Sequence, residues 1–128
     1  MEENENLSED ELKMILKNHL EQEGWKVEVA WGKKTGVDID AYRNNKRWII
    51  EAKGCGSRSA MRVNYFISAL GELLQRMNDD NAIYSIALPN MKQYKKLWDK
   101  LPDLAKQKNK ISCLFVNKNG QIQEYDYK

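Results

Sequence analysis

The chain has 128 residues, 41% of them hydrophobic and 31% charged, which suits one soluble domain with a core that needs no staples. No apolar run approaches the length of a membrane span, and the acidic start Met1 to Glu11 lacks the basic and apolar regions of a signal peptide. A cytoplasmic protein without a membrane partner is therefore expected. The net charge of +2 is unevenly spread: residues 1–23 hold eight acids against two lysines, a net −6, so the remainder carries +8. A basic body is compatible with a polyanionic partner, and equally with ordinary solubilising charge. Cys55 and Cys113 follow no metal-ligand spacing and read as reduced thiols.

Residues 1–7 are expected to form a disordered tail, and residues 8–128 a single domain. Ser8 with Glu11 fits a capping box, so a helix starts there, with Leu12, Ile15, Leu16, His19 and Leu20 on one stripe and Gly24 at its end. His19 lies in that stripe, which favours a core or boundary role over catalysis. Residues 25–30 alternate like a strand. Trp31 to Thr35 is a polar connection that carries Lys33 and Lys34. Val37 to Arg43 and Lys46 to Lys53 alternate again, separated by Asn44-Asn45, residues that tolerate positive φ. After Gly54-Cys55-Gly56-Ser57, a helix is expected from about Arg62 to Met77, then a buried strand over 82–88. A helical stripe from Met91 to Leu101 is interrupted near Pro102. A strand from Ile111 to Val116 then turns at Asn119-Gly120 into a last strand, Gln121 to Tyr125. The order α-β-β-β-α-β-α-β-β predicts a mixed sheet flanked by helices.

The chemistry concentrates in Val37-Asp38-Ile39-Asp40-Ala41 and Ile49-Ile50-Glu51-Ala52-Lys53. If Asn44-Asn45 is a two-residue hairpin loop, Arg43 faces Lys46 and Asp38 lies opposite Glu51. Alternation then puts Val37, Ile39, Ala41, Trp48, Ile50 and Ala52 on one face and Asp38, Asp40, Glu51 and Lys53 on the other. Directly opposed residues have Cβ atoms about 5 Å apart, and like charges there are destabilising. A divalent cation between the acids turns repulsion into oxygen ligation, the coordination Mg²⁺ and Mn²⁺ prefer. Lys53, on the same face, is placed to orient a water or offset charge on a phosphoryl oxygen. Carboxylates, a hard cation and a lysine on one hairpin suit phosphodiester hydrolysis. A solvent-facing strand pair with ordinary charges is the plain alternative.

Asp38, followed after an apolar run by Glu51-Ala52-Lys53, resembles the PD-(D/E)XK nuclease superfamily, most closely its small restriction-endonuclease-like and Holliday-junction-resolvase-like branches. The resemblance spans residues 8 to 88 and implies an α/β (α+β) restriction-endonuclease-like fold. That fold is an α-β-β-β-α-β core, followed here by a C-terminal helix and β-hairpin. It also implies a metal-dependent nuclease acting on DNA, with RNA the alternative substrate. Asp38 and Glu51 would hold Mg²⁺ or Mn²⁺, and Lys53 would position the attacking water. The usual proline before the aspartate is Val37 here. Asp40 is expected to support the site or to serve as an alternate ligand. Members often add a glutamate from the first helix, here Glu9 or Glu11, although Glu11 is also the cap partner of Ser8. A glutamine on the second helix lies near the metal in several branches, so Gln75 or Glu72 is expected to support the site. Many members are dimers, which makes a homodimer an expectation by analogy.

Arg58, Arg62 and Asn64, next to the glycines of residues 54–56, are expected to meet phosphates together with Lys33 and Lys34. Seven lysines between Lys92 and Lys110 read better as a solvated face. Two other functions fit the chain: a non-catalytic nucleic-acid-binding module of the same fold, and an interaction domain that uses exposed aromatics such as Tyr125 and Tyr127.

Overall fold

In a computed structural model that describes residues 6–128, the chain runs α1 (Glu9–Gln22), β1 (Lys26–Val29), β2 (Ile39–Arg43), β3 (Lys46–Ala52), α2 (Ser59–Gln75), β4 (Ile83–Pro89), α3 (Lys92–Lys100), α4 (Asp103–Asn109), β5 (Ile111–Val116) and β6 (Ile122–Tyr125). The six strands form one sheet in chain order. β1, β2 and β3 pair antiparallel; β3, β4 and β5 pair parallel across helical connections; β6 returns antiparallel to β5. This is the mixed, helix-flanked sheet expected, and its first six elements follow α-β-β-β-α-β. Among the described residues, no helix is long and apolar enough to cross a membrane.

Some expectations need correction. The single helix after β4 is two, because Pro102 lacks the N–H needed to continue α3 and holds Leu101 in an extended conformation. The second helix starts at Ser59, earlier than its apolar stripe suggested. Tyr125 does not stand exposed: it packs edge-on against Phe115, with ring centroids 4.9 Å apart.

The capping box of α1 is present, with Glu11 N donating to Ser8 Oγ at 3.2 Å and Ser8 N to Glu11 Oε1 at 2.8 Å. Leu7, expected in a disordered tail, is fully buried. It stands just before the cap and shares a core cluster with Leu12, four positions into the helix, as a hydrophobic staple does. The rest of the expected tail, residues 1–5, lies outside the described residues. His19 sits at the boundary, its Nε2 3.4 Å from Glu23. Both cysteines are free thiols.

Asn44 and Asn45 both take positive φ, 51° and 67°, the conformation of a tight hairpin whose twist matches its strands. The expected register follows: Arg43 pairs Lys46, Asp40 pairs Ile49 and Ile39 pairs Ile50. Ile39, Ala41, Ile50 and Ala52 pack against Leu12, Leu16 and Leu20 of α1. Ile49 belongs to the second core, on the other side of the sheet, with Phe66, Ala69 and Leu73 of α2 and Tyr94 and Trp98 of α3. Val37, expected on the α1 side with Ile39, packs against this second core instead; strand pairing begins only at Ile39, so alternation does not carry back to it. The charged face of the hairpin is therefore on the α2 side, where Glu51 is buried and Asp38, Asp40 and Lys53 are half-buried.

Gly54 lets α1 approach the end of β3. A Cβ there would stand 2.5 Å from Glu9 N and 3.0 Å from the Ser8 carbonyl carbon. Around it, Cys55 N donates to Leu7 O at 2.9 Å and Tyr94 Oη to Gly54 O at 2.8 Å. Because the obstructing atoms are backbone, Gly54→Ala is expected to cost about 2–3 kcal/mol in equilibrium urea unfolding. A loss below ~0.5 kcal/mol, the range of unconstrained surface changes, would show that the start of α1 is not pinned here.

Candidate metal centre

Asp38 and Glu51 meet at the open end of the β2–β3 hairpin, each held by the other's chain. Asp38 N donates to Glu51 Oε2 at 3.2 Å, and Ala52 N donates to Asp38 Oδ2 at 2.9 Å. The third acid is Glu72 of α2. One carboxylate oxygen from each of Asp38, Glu51 and Glu72 lies within 4.8 Å of the others. Such an all-oxygen set suits a hard divalent cation.

Neither first-helix glutamate joins this group. Glu11 is engaged in the cap, and its backbone and side-chain bonds to Ser8 hold its carboxyl below the usual range. Glu9 pairs at 2.8 Å with Lys13, and only Lys13 reaches the centre, its Nζ 3.3 Å from Asp38 Oδ1. The spacing of the apolar stripe drew attention to Glu9 and passed over Lys13. The usable signal was the Glu9/Lys13 i,i+4 pair beside that stripe. Lys13 is 1% exposed, and its third acceptor is Ala30 O at 2.6 Å. Burial works against its charge, but the Glu9 and Asp38 carboxylates outweigh that and raise its pKa.

Two further cations complete the surroundings. Lys53 Nζ lies 3.1 Å from Glu72 Oε1, at the end of the strand that carries Glu51. Arg76 Nε lies 3.7 Å from Glu51 Oε2 and is buried without a hydrogen-bond partner, while its Nη2 donates to Gly36 O at 3.0 Å. Gln75, expected near the metal, is exposed at the end of α2. Arg76 takes the inward place because it follows Glu72 by four residues, one helical turn. Each acid thus has one cation beside it, yet burial and the Asp38 charge still push Glu51 up to about 7, against the Asp38 amide and Arg76.

The other expected residues lie outside the three-acid group. Asp40 is gripped by Arg47 through bonds of 2.9 and 2.8 Å. Arg62 ties the 54–58 segment to α3, with Nε donating to Gln93 Oε1 at 2.6 Å and Nη1 to Cys55 O at 3.1 Å. Arg58 and Asn64 are exposed at the start of α2, and Lys33 and Lys34 are exposed between β1 and β2.

No family model matches the chain, and no curated protein does. Among solved structures, the fold is similar to that of an XisH family protein from Nostoc punctiforme PCC 73102, with a TM-score of 0.64 and 20% identity over 91% of this chain and 99% of that one. It is also similar to an fdxN element excision controlling factor protein from Anabaena variabilis, with a TM-score of 0.63 and 19% identity over 89% and 96% of the two chains. At these identities the likeness is one of fold.

Glu51 makes a pH prediction. Its carboxyl titrates near 4.5 in the unfolded chain and about 7 in the fold. At low pH it is neutral in both states. As pH rises between those values the unfolded chain releases the proton first, so folding stability is lost, on the order of a few kcal/mol by pH 8. In EDTA, Glu51→Gln should therefore be more stable than wild type at pH 8, and the difference should shrink towards pH 5. Urea unfolding curves whose difference does not change with pH would contradict this.

Proposed function

We propose that this chain is a metal-dependent nuclease of the PD-(D/E)XK type that hydrolyses phosphodiester bonds of DNA. The observation that carries the reading is the convergence of Asp38, Glu51 and Glu72 within 4.8 Å, with Lys53 3.1 Å from one of them. Asp38 and Glu51 would hold Mg²⁺ or Mn²⁺, with Glu72 as the third carboxylate. Bound there, such an ion would supply a Lewis acid for a phosphoryl oxygen and for water. The protein's own groups do the rest. Lys13 and the Ala52 amide fix the two oxygens of Asp38. Lys53, on the rigid end of β3, orients the attacking water. Arg76, beside Glu51, would supply a guanidinium to offset charge that builds on the phosphoryl group. The name of one structural neighbour, a factor controlling excision of the fdxN element, accords with a nucleic-acid role.

A second reading has one observation in its favour. Lys13, Arg76 and Lys53 already pair with Asp38, Glu51 and Glu72, so the group could be a structural ion network in a non-catalytic DNA-binding module. Cleavage assays separate the two. Wild type should cut supercoiled plasmid or single-stranded circular DNA with Mg²⁺ or Mn²⁺ and stop in EDTA. Glu51→Ala and Lys53→Ala should each slow cleavage by roughly 10²-fold or more. Binding without cleavage across a metal screen, or cleavage indifferent to both substitutions, would overturn the nuclease reading.

A further inference from the structure

Three of the four tryptophans have ring partners. Trp25 and Trp48 meet edge to face with centroids 5.5 Å apart, Arg43 lies over Trp25, and Lys106 lies 4.5 Å over Trp98. Trp31 is different. It is 37% exposed, and among the described residues no ring or cation stacks on it. It opens the connection Trp31-Gly32-Lys33-Lys34-Thr35-Gly36, in which Lys33 and Lys34 are exposed and have no acidic partner among the described residues.

This connection is fastened to the acid group. Ala30 N, just before Trp31, donates to Asp38 O at 3.0 Å, and Ala30 O accepts from Lys13. Gly32 N donates to Asp10 Oδ1 at 3.1 Å. At the far end, Gly36 O accepts from Arg76, whose Nε stands beside Glu51. Gly32 and Gly36 take φ of +60° and +116° with open space where a Cβ would point. Open clefts flank the segment; the lining of one includes Lys34, Thr35 and Gly36 together with Glu28 and Asp40, and the other is lined by Ser8, Glu9, Asp10 and Gly32.

We propose that the 31–36 segment is a strand-binding element, in which Trp31 stacks on an unpaired DNA base and Lys33 and Lys34 meet the adjoining phosphates. A partly exposed indole with nothing stacked on it offers a base π-stacking, which is open to an unpaired base and closed inside a duplex. Stacking tolerates any sequence, because every base has a π-face. Resting on the nuclease reading, this makes the substrate class DNA that is single-stranded at or beside the cut, since the segment is anchored to Asp38 and Arg76.

Binding is tested without metal, so that its outcome is separate from catalysis. The full chain in EDTA is titrated with oligo-dT and, separately, with a blunt hairpin duplex, following tryptophan emission. Wild type should be quenched by oligo-dT. Trp31→Ala should weaken oligo-dT binding about 5- to 100-fold, the range of one lost base–aromatic stack, and duplex binding less than ~2-fold. Trp31→Phe should keep most of the affinity and lose the quench, because Trp25 and Trp98 are buried and Trp48 is half-buried against Trp25. Equal weakening for both DNAs, a quench that persists in Trp31→Phe, or no binding of oligo-dT would overturn the proposal. A chain that shows the Trp31 effects yet cuts nothing with any metal would uphold this inference and refute the nuclease reading.

Discussion

Asp38 and Glu51 face each other across the β2–β3 hairpin, and each carboxylate is bound by a backbone amide of the opposing segment. Opposed like charges normally weaken a strand pair. Here they lie under α2, where burial and the Asp38 charge hold Glu51 near pH 7. Much of the surrounding structure answers this constraint. Lys13 extends from α1, Arg76 from the end of α2, and Lys53 from the end of β3, so each acid is met by a cation from a different element. The fold thus supplies positive charge from three directions while leaving carboxylate oxygens turned towards one another.

The legible part of this arrangement was local. Asn44-Asn45 specified a two-residue turn, the turn specified the register from Ile39–Ile50 to Arg43–Lys46, and just beyond it Asp38 meets Glu51 and Ala52. The capping pair Ser8 and Glu11 marked the start of α1. What sequence spacing concealed was non-local. Nothing near Glu72 in the chain says that α2 folds back over the hairpin and brings that acid, not Glu9 or Glu11, to the other two. Arg76 rather than Gln75 faces the acids because it stands one helical turn beyond Glu72, a choice that becomes visible only once Glu72 is known to face them. Leu7 was missed because a short polar tail masks one leucine, although its position before the cap and its partner Leu12 form a recognisable staple. The placement of Val37 against the second core follows from pairing that begins at Ile39, which alternation over a short segment does not foresee.

The same geometry explains why α1 and the connection after β1 belong to the site although they supply no ligand in the three-acid group. Lys13 joins Glu9, Ala30 and Asp38 in one buried set of bonds, so the start of α1, the end of β1 and the acid before β2 move together. Arg76 does the same on the other side by linking Glu51 to Gly36. The segment carrying Trp31, Lys33 and Lys34 is thereby held at the edge of the acid group while its side chains stay exposed.

Whether the three carboxylates share one cation is decided most directly by anomalous diffraction from crystals soaked in Mn²⁺. A peak enclosed by the carboxyl groups of residues 38, 51 and 72 is the predicted result. Manganese bound only at other acids, or absent from this position under conditions in which it supports cleavage, would contradict it.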